Sequence, residues 1–510
     1  MVGGPSFAQP TLDQAIDVKV TDDGRFKSGR LKGLTMGAAI FVLAWPVVLE
    51  SFLNSLVGLV DTKLSASLPN GEAATDAIGG ASYIMWLIGL IIMAIGVGAT
   101  ALIARSVGKG RLGVANVVLG QALTLSIASG VLIGIVIYFL SSPITALLNM
   151  TPEAAVYFND YMRIIALGVP TSSVLFALIA CSRGAGDSMS PLIAMIVRNA
   201  VNIVVSWFFS GVTIAGLTSP LGLDWGVKGI AFGTVVGDSV GALIILSMAV
   251  SGRWSIRLKL RWMKIHSVMV WRLVRLGVPN FFETFGMWVG NFFIIAFVGL
   301  LARQMDTEGL LGAHIIGIRI EAFSFMPGFG MGIAAATLAG QYLGMGRPDL
   351  AKKAVFRCTL IASTIMGVMG LFFILFARPI TAMLSPQPAH LEMVPPLLII
   401  CGAIQIPFAI GIVFRTAMRG AGDVRWVMGM TWFSTYALRL PLAYIISGVD
   451  IPLPHFLGGG VIINPRWFES WFGIAPGLTA MWLALCSEMT LRGVLFAIRF
   501  FQGGWLKAKV

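Results

Sequence analysis

Long apolar segments restrict the fold of this chain more than any other feature of its sequence. The stretches YIMWLIGLIIMAIGVGATALIA and LTLSIASGVLIGIVIYFL contain no charged side chain. A helix of about 20 apolar residues crosses the hydrocarbon core of a bilayer. Hydrophobic residues make up 57% of the chain and charged residues 12%, whereas soluble domains carry about 25% charged residues. The sequence therefore predicts an all-α polytopic membrane protein.

Twelve such segments are predicted to span the membrane. They cover residues 34–61, 77–104, 114–140, 154–181, 189–211, 226–251, 268–301, 310–342, 352–377, 390–418, 425–448 and 471–500. The first 33 residues are polar and lack the apolar core of a signal peptide, so we expect a disordered cytosolic tail there and a second short tail at 502–510. The cysteines show no paired spacing, which argues against a disulfide framework, a metal site or a metal cofactor. They are Cys181, Cys358, Cys401 and Cys486.

Basic residues accumulate in alternate loops, and this asymmetry predicts the orientation of the chain. One set of loops holds the run RWSIRLKLRWMK together with Arg105, Lys109, Arg111, Arg183, Arg272, Arg275, Arg347, Lys352, Lys353, Arg357, Arg415, Arg419 and Arg425. The opposite set holds only Lys63, Lys228, Arg303, Arg378 and Arg466. The positive-inside rule then places both termini in the cytosol, in a plasma (inner) membrane. It also explains the net charge of +13 without nucleic acid as a partner.

Short motifs recur in the second half of the chain at a nearly constant distance. RGAGD occupies residues 183–187 and 419–423, 236 residues apart, and PITALL at 143–148 returns as PITAML at 379–384. WPVVLESF at 45–52 returns as VPNFFETF at 278–285, 233 residues later. The repeats predict two homologous six-helix halves, which we call the N-lobe (34–251) and the C-lobe (267–501). A basic linker, 252–266, joins them.

An even number of helices in each half determines how the halves are related. Both halves enter the membrane from the same side, which gives a parallel repeat about an axis along the membrane normal. A site between two such halves can face one side of the membrane and then the other as the halves rock. This architecture is typical of secondary transporters, and the sequence shows no catalytic constellation that would indicate an enzyme.

The RGAGD motifs follow the fourth predicted helix of each half and are predicted to be helix hairpins. Their glycines can adopt positive φ and turn the chain. Asp187 and Asp423 are expected to cap the next helix, because a carboxylate accepts hydrogen bonds from free backbone N–H groups. Arg183 and Arg419 are expected to stay in the cytosol.

The repeated motifs also carry a family resemblance. RGAGDSMSP, RGAGDV, WPVVLESFLNSLVGLVDT and AHIIGIRIEAFSFMPGFGMGIAAATLAGQYLGMGR resemble the signatures of the multidrug and toxic compound extrusion (MATE) family, over about residues 34–500. The resemblance implies a secondary active antiporter that exports organic, mostly cationic compounds or drugs in exchange for protons or sodium ions. It also implies a monomer surrounded by membrane lipids, without a cofactor.

The resemblance assigns a cation-coupling role to the first lobe. Asp61, in the sequence VDT, matches an acid in the family's first helix, and Asn202 matches an asparagine in the fifth. Asn54 is a plausible polar partner. Some members carry an acid four residues after the asparagine, where this chain has Ser206. Asp61 could instead be a charge at the membrane interface or a helix cap.

Two glutamates occupy equivalent places in the lobes. Glu50 and Glu283 each follow a proline by four residues, and a proline can open the backbone locally. A symmetric pair of acids facing a central cavity would attract cations, so we predict that both acids take part in cation coupling and substrate binding. The alternative for each is a buried protonated acid bonded to a neighbouring helix.

Aromatic and methionine side chains in the seventh and eighth helices are candidates for stacking on organic cations. The predicted substrate-binding residues of this kind are Phe282, Met287, Trp288 and Phe325, and ordinary packing is the alternative for each. His314 resembles a histidine of the family's eighth helix and is also predicted to bind substrate. It could equally be a buried hydrogen-bonding residue.

Several other charged residues fall within predicted helices, where an isolated charge is costly. We predict that Asp160 pairs with Arg163 and that Glu488 pairs with Arg492, since residues three or four apart share a helix face. Further charges in the spans are Arg198, Asp238, Arg319, Glu321 and Arg439. An alternative function on a related fold is a flippase for lipid-linked or polysaccharide substrates, which would need a strongly basic cavity and a lateral opening.

Overall fold

The computed structural model describes residues 21, 24–27, 29–147, 150–213, 223–307, 309–452 and 460–508. Residues 1–20 of the predicted N-terminal tail and residues 509–510 lie outside this part. The described helices are α1 (Met36–Ala66), α2 (Gly71–Gly108), α3 (Leu112–Leu147), α4 (Pro152–Gly184), α5 (Met189–Ser210), α6 (Val227–Ser251), α7 (Ser267–Gln304), α8 (Leu310–Gly344), α9 (Pro348–Leu384), α10 (Pro388–Ala403), α11 (Gln405–Ala421), α12 (Val424–Trp432), α13 (Leu440–Ser447), α14 (Trp467–Phe472) and α15 (Leu478–Gln502). Two short antiparallel strands, β1 (Ile451–Pro452) and β2 (Val461–Ile462), precede α14.

The helices follow the twelve predicted spans, with breaks in the last three. Ten described helices are long and apolar enough to cross a membrane, and α10 with α11, bent by 59°, form an eleventh span. The predicted span 425–448 is continuous helix from α12 to α13, but it passes through a π-helix at Phe433–Arg439. The last predicted span began too early, because Gly473 and Gly477 have positive φ and separate α14 from α15.

The basic linker is attached to α3. Its residues 260–263 form a 3₁₀ turn, and the side chain of Gln121 donates to the carbonyl oxygens of Trp262 and Lys264, both at 2.7 Å. The hydroxyl of Thr124 donates to the carbonyl of Met263 at 3.0 Å. Trp254, at the start of the linker, is fully buried. The linker therefore packs as part of the N-lobe.

The two lobes pack tightly against each other on the side of the basic loops. One hydrophobic core on this side joins α1 to α8, α9, α11 and α15, and a second joins α2–α6 to α7. Backbones approach closely where the sequence has glycine. A Cβ atom on Gly98 would lie 2.9 Å from the carbonyl oxygen of Leu273, and one on Gly108 would lie 2.1 Å from that of Gln341.

The opposite halves of the helices pack in two separate cores. One core contains residues of α1–α4 and α6, and the other contains residues of α7–α10, α13 and α15. An edge-to-face contact between Trp86 of α2 and Trp288 of α7, with ring centroids 3.9 Å apart, joins the lobes further from the basic loops. The lobes therefore share cores on one side of the membrane, whereas on the other side each lobe has a core of its own.

Part of the predicted disordered tail is packed, so that prediction was wrong for residues 24–27 and 29–33. The ring of Phe26 stacks on Tyr342 of the C-lobe at 5.0 Å, and the Tyr342 hydroxyl donates to the carbonyl oxygen of Gly24 at 2.9 Å. Arg30 approaches Asp187 of the N-lobe at 3.5 Å. Phe26 and Leu31 are buried. Because these two apolar residues find cover, the segment contacts both lobes.

Candidate functional site

The RGAGD motifs form the predicted hairpins, and their glycines divide into two kinds. Gly186 and Gly422 have φ of 91° and 94°, the left-handed conformation that ends a helix. Gly184 is helical, and a Cβ atom there would lie 2.9 Å from the carbonyl oxygen of Thr100. Gly420, its counterpart, is equally crowded by α8. Each motif therefore combines a turn with a close helix contact.

The aspartates of the two motifs behave differently. Asp187 accepts hydrogen bonds from the backbone N–H groups of Met189 at 2.9 Å and Ser190 at 3.1 Å, so the predicted cap is confirmed. Asp423 precedes α12 without a capping bond and instead accepts hydrogen bonds from Arg499, the shorter at 2.9 Å. Burial raises the pKa of Asp423, although Arg499 acts in the opposite direction.

The arginines of the motifs were expected to stay in the cytosol, but they do not lie free in a loop and are instead largely buried in ion pairs. Arg183 binds the carboxylate of Glu50 at 2.6 Å, and Arg419 binds that of Glu283 at 2.7 Å. Both acids are buried, and a buried carboxylate needs a counter-ion and hydrogen bonds. The partners are 133 and 136 residues apart, so no local spacing indicates the bond. The one available signal was that acid and arginine recur together in both halves.

Glu283 has further partners. Arg415 of α11 donates to it at 2.8 Å, and the Thr431 hydroxyl donates at 2.9 Å. The carboxylate is fully buried. Two guanidinium groups neutralise it, so the geometry does not support the predicted role of Glu283 as a free acid for a cationic substrate. The same correction applies to Glu50, whose charge Arg183 neutralises.

The N-lobe contains a different polar cluster, around Asp61 of α1. Its Oδ1 atom is buried and has no hydrogen-bonding partner among the described residues. Arg198 of α5 and Tyr161 of α4 are close enough to interact with it electrostatically. Because Asp61 lies among residues of two other helices, it is part of the interior of the lobe and not a helix cap.

The predicted asparagines belong to the same cluster. Asn202 of α5 donates to the Thr234 hydroxyl at 3.0 Å, and Thr234 also interacts with Tyr161. The Oδ1 atom of Asn202 is buried and has no hydrogen-bonding partner in the described part of the chain. Asn54 of α1 accepts a hydrogen bond from Asn199 at 3.4 Å. The structure thus places Asp61, Asn54 and Asn202 in one region of the N-lobe, and two of them carry unpaired oxygen atoms.

An ion pair adjoins this cluster. Arg198 binds Asp238 of α6 at 2.6 Å and donates to Asn199 at 2.9 Å. Ser172 of α4 donates to the other oxygen of Asp238. The sequence placed Arg198 and Asp238 inside the membrane, but their separation of 40 residues gave no reason to join them. Tyr161 and Thr234 are uncharged and carried no signal.

The predicted pairs within single helices had different outcomes. Glu488 binds Arg492 at 2.7 Å, as predicted, and also binds Arg439 at 2.9 Å. Asp160 does not pair with Arg163. It binds Lys228 of α6 at 3.2 Å, while Arg163 lies over the ring of Tyr138, 5.6 Å from its centre. Neighbouring helices supplied closer partners for both residues.

The predicted substrate-binding residues lie in several environments. The sulfur of Met287 contacts Arg415 at 3.8 Å and Arg492 at 3.7 Å. Met287 therefore lies between the ion pairs of Glu283 and those of Glu488. Phe282 is 44% exposed. Trp288 contacts Trp86 across the two lobes, as described above. These three residues of α7 do not form one closed pocket.

The other two candidates are engaged inside the C-lobe. Phe325 packs against Phe329 and against Phe408 of α11. His314 is buried, and its Nδ1 atom accepts a hydrogen bond from the indole N–H of Trp482 at 3.0 Å. In this conformation the geometry therefore favours the structural alternative for both residues. Within the described residues there is also no group of three or more metal-ligating His, Cys, Asp or Glu side chains.

Comparison with known proteins is consistent with the repeated architecture. The MatE family model matches the chain twice, at residues 46–208 and 279–445. The probable multidrug resistance protein NorM of Thermotoga maritima is 25% identical over 92% of this chain and 93% of its own. The multidrug resistance protein PmpM of Pseudomonas aeruginosa is 25% identical over 88% and 90%. A crystal structure described as MATE in the bent conformation has a TM-score of 0.79 at 20% identity, covering 92% of this chain and 96% of its own.

Proposed function

Because the chain belongs to the MatE family of multi-pass membrane transporters, we propose that it is a secondary active multidrug efflux antiporter of the plasma membrane, which exports organic, mostly cationic compounds in exchange for protons. The names of the relatives support the multidrug part. The packing of the lobes supports alternating access, since they share cores on one side of the membrane and have separate cores on the other.

The observation that carries the coupling proposal is the buried, unpaired Oδ1 atom of Asp61. A buried carboxylate oxygen without a donor is costly. A proton bound to the carboxylate removes the charge and with it most of this cost. Asp61 is therefore the residue whose carboxylate can be protonated in one state of a transport cycle and ionised in the other.

The surroundings of Asp61 favour a proton over a sodium ion. Arg198 lies close to Asp61, and its positive charge opposes a bound proton and a bound sodium ion alike, so the preference depends on the oxygen ligands around Asp61. Ser206 occupies the position at which a second carboxylate would be expected in some family members, and its hydroxyl donates to the carbonyl of Ile230. Hard cations prefer several oxygen ligands. A proton needs only one carboxylate oxygen.

The proposed exchange uses the lobes as a gate. With the predicted orientation, the lobes are closed towards the cytosol and Asp61 takes up a proton from the outside. Protonation removes one negative charge from the N-lobe and weakens the attraction for a cationic substrate, which leaves. Exchange of one proton for one monovalent cation moves no net charge across the membrane, so the pH gradient and not the membrane potential drives the cycle.

Asp61→Asn tests this proposal in proteoliposomes, with proton and sodium gradients imposed separately. We expect the wild type to export an organic cation under the proton gradient and the variant to lose this activity, since an amide keeps the size of the side chain but does not titrate. Asp160→Asn is the matched control, a less buried acid of the same lobe paired with Lys228, and should retain efflux. Unchanged thermal unfolding shows that both variants fold.

Two results would contradict the proposal in different ways. Efflux driven only by sodium would make the proton assignment wrong and leave the transporter in place. Normal proton-driven efflux by Asp61→Asn would remove Asp61 from the mechanism.

The orientation is tested by cysteine labelling. The four native cysteines are buried, and Lys259 is exposed in the linker. We expect Lys259→Cys to react with a membrane-impermeant maleimide only after the cells are opened. Arg378→Cys, at an exposed position near the predicted outer end of α9, should react in intact cells. Labelling of Lys259→Cys from outside would reverse the topology.

The flippase alternative keeps one observation in its favour. In the C-lobe, Glu283 and Glu488 are each bound by two arginines, so positive charge exceeds negative charge in these two groups. A lipid-linked anionic substrate would suit such an interior better than a cation. The same proteoliposomes distinguish the two functions if an organic cation and an anionic lipid-linked sugar are offered in parallel.

A further inference from the structure

A basic pocket lies between the lobes on the side of the basic loops. It has a volume of about 770 Å³, and its charged lining comes from both lobes. The N-lobe contributes two cationic side chains, and α7, the start of α12 and the C-terminal turn contribute four. These six residues are Arg105, Lys109, Arg272, Arg275, Arg425 and Lys507.

The six cations have no carboxylate partner among the described residues. Arg105 donates only to backbone carbonyl oxygens, that of Ala508 at 2.5 Å and that of Ala421 at 3.4 Å. The one acid in the lining is Asp423, and Arg499, which lies outside the pocket, already binds it. The pocket thus holds a concentration of positive charge that nothing in the described chain offsets.

This charge affects Lys109, which follows the last residue of α2. Partial desolvation and the nearby guanidinium groups of Arg105, Arg111 and Arg272 lower the pKa of Lys109. The charged form of Lys109 is therefore disfavoured by its neighbours. An anion in the pocket would offset that repulsion.

Exposed tryptophans place the pocket at the level of the lipid headgroups. Trp426 belongs to the lining and is 58% exposed, and Trp271 precedes Arg272 and is 65% exposed. Tryptophan is enriched at membrane–water interfaces because its ring is amphipathic. Basic pockets between helices on the cytoplasmic side are suited to anionic lipid headgroups.

We propose that this basic pocket binds the phosphate groups of an anionic ligand, and that a bound phosphate holds the two lobes together on this face. Arginine and lysine are the side chains that bind phosphate. A volume of about 770 Å³ admits a headgroup larger than one phosphate. The same chemistry fits a phospholipid headgroup and free phosphate, and the experiment below separates these sources.

The consequence for conformation rests on the proposed alternating access. Opening of the lobes on this face would move Arg105 and Lys109 away from the three arginines of the C-lobe and from Lys507 in the C-terminal turn. A ligand that binds only the closed arrangement shifts the equilibrium towards it. Bound phosphate would therefore favour the state described here.

Binding is tested first, without any transport assay. The purified protein, in a neutral detergent, is titrated with phosphatidylglycerol, with phosphatidylcholine and with inorganic phosphate, and thermal unfolding is recorded. We expect phosphatidylglycerol to raise the unfolding temperature and phosphatidylcholine to leave it unchanged. A rise with inorganic phosphate alone would identify free phosphate as the ligand, which supports the pocket but not the lipid source.

Two double variants, each lacking two positive charges, show whether phosphatidylglycerol stabilises the protein by binding in the pocket. Arg272→Gln with Arg275→Gln should weaken phosphatidylglycerol binding by at least about tenfold, since each basic residue near an anionic surface contributes measurably. Lys353→Gln with Arg357→Gln removes two exposed charges from α9 outside the pocket and should bind like the wild type. If the first variant is unstable, Lys109→Gln with Arg425→Gln probes the same pocket from both lobes.

The link between phosphate binding and conformation is tested by measuring a distance between the two lobes. Spin labels at Tyr83→Cys and Phe292→Cys, both exposed on the half with separate cores, report the separation of the lobes. Phosphatidylglycerol should increase the population with the longer distance, and Arg272→Gln with Arg275→Gln should abolish that increase. Equal stabilisation of the pocket and control variants by phosphatidylglycerol and by phosphate would overturn the site. Binding without any change in distance would overturn the link to conformation and leave the proposed transport function untouched.

Discussion

The two lobes carry the same bond between glutamate and arginine but differ in what surrounds it. In the N-lobe, Glu50 is bound by Arg183. In the C-lobe, Glu283 is bound by Arg419 and by a second arginine, Arg415. The residue 236 positions before Arg415 is a buried isoleucine, Ile179. The second arginine therefore belongs to the C-lobe alone.

The proposed coupling acid shows the opposite asymmetry. Asp61 lies in the N-lobe, and the residue 233 positions later, Ile294, is buried in the core of the C-lobe. Arg198 likewise has an uncharged counterpart, Ser434. From this comparison we infer that the charged residues common to both lobes stabilise the duplicated fold. The charged residues present in only one lobe give the two lobes different chemistry.

The largest effect on stability is expected from Glu283→Gln. It leaves two guanidinium groups without their counter-ion in the protein interior, which costs about 3–5 kcal/mol of unfolding free energy. Glu50→Gln should cost less, because one arginine at the end of α4 can turn towards water. Denaturant unfolding in detergent measures both. Equal losses would show that the second arginine does not distinguish the lobes.

Arg415→Ile gives the C-lobe the side chain of the N-lobe and should have an intermediate effect. Glu283 keeps Arg419 and Thr431, so the loss is that of one charged hydrogen bond, about 1.5–3 kcal/mol. The converse variant, Ile179→Arg, is the control. It buries a second positive charge beside Arg183 and should therefore destabilise the protein. Stabilisation by Ile179→Arg would show that the N-lobe acid lacks a partner it can use, contrary to the comparison.

The smallest effect separates the two motif aspartates. Asp187→Ala removes a helix cap and should cost about 1 kcal/mol. Asp423→Ala should change stability by less than about 0.5 kcal/mol at neutral pH. Burial raises the pKa of Asp423, so the folded state binds its proton more tightly than the unfolded state, and this contribution to stability disappears as pH rises through the folded pKa. Thermal unfolding at several pH values measures both variants. If Asp423→Ala lost more stability at neutral pH than at acidic pH, the expected pH dependence would be wrong.

Much of the fold could be predicted from the sequence, because the bilayer imposes a simple length rule on apolar helices. The breaks in the later spans could not. The π-helix at Phe433–Arg439 contains no proline or glycine, so nothing local indicates it. The packed N-terminal segment was missed because Phe26 and Leu31 are isolated apolar residues whose cover comes from distant helices.

The candidate site was predictable in part. Asp61 and Asn202 were found by their resemblance to family positions and Asn54 as a polar partner, and all three lie in one region of the N-lobe. The bonds from Arg183 and Arg419 were not, because a charged residue at a helix end reads equally well as a cytosolic loop residue. His314 illustrates the same limit, since only the fold shows that Trp482 is its partner.

The attachment of the linker to α3 has a consequence for dividing the polypeptide. Asn116, Gln121 and Thr124 hold residues 257–266 through side-chain hydrogen bonds, and the last of these joins Gln121 to the backbone N–H of His266 at 2.9 Å. The Glu–Arg bond of each half is internal to that half. A gene split between His266 and Ser267 would therefore keep all of these bonds within single fragments. Two co-expressed fragments would have to recreate the helix contacts between the halves, the packing of residues 24–27 and 29–33 on the C-lobe, and the hydrogen bonds from Arg105 to the backbone of Ala421 and Ala508.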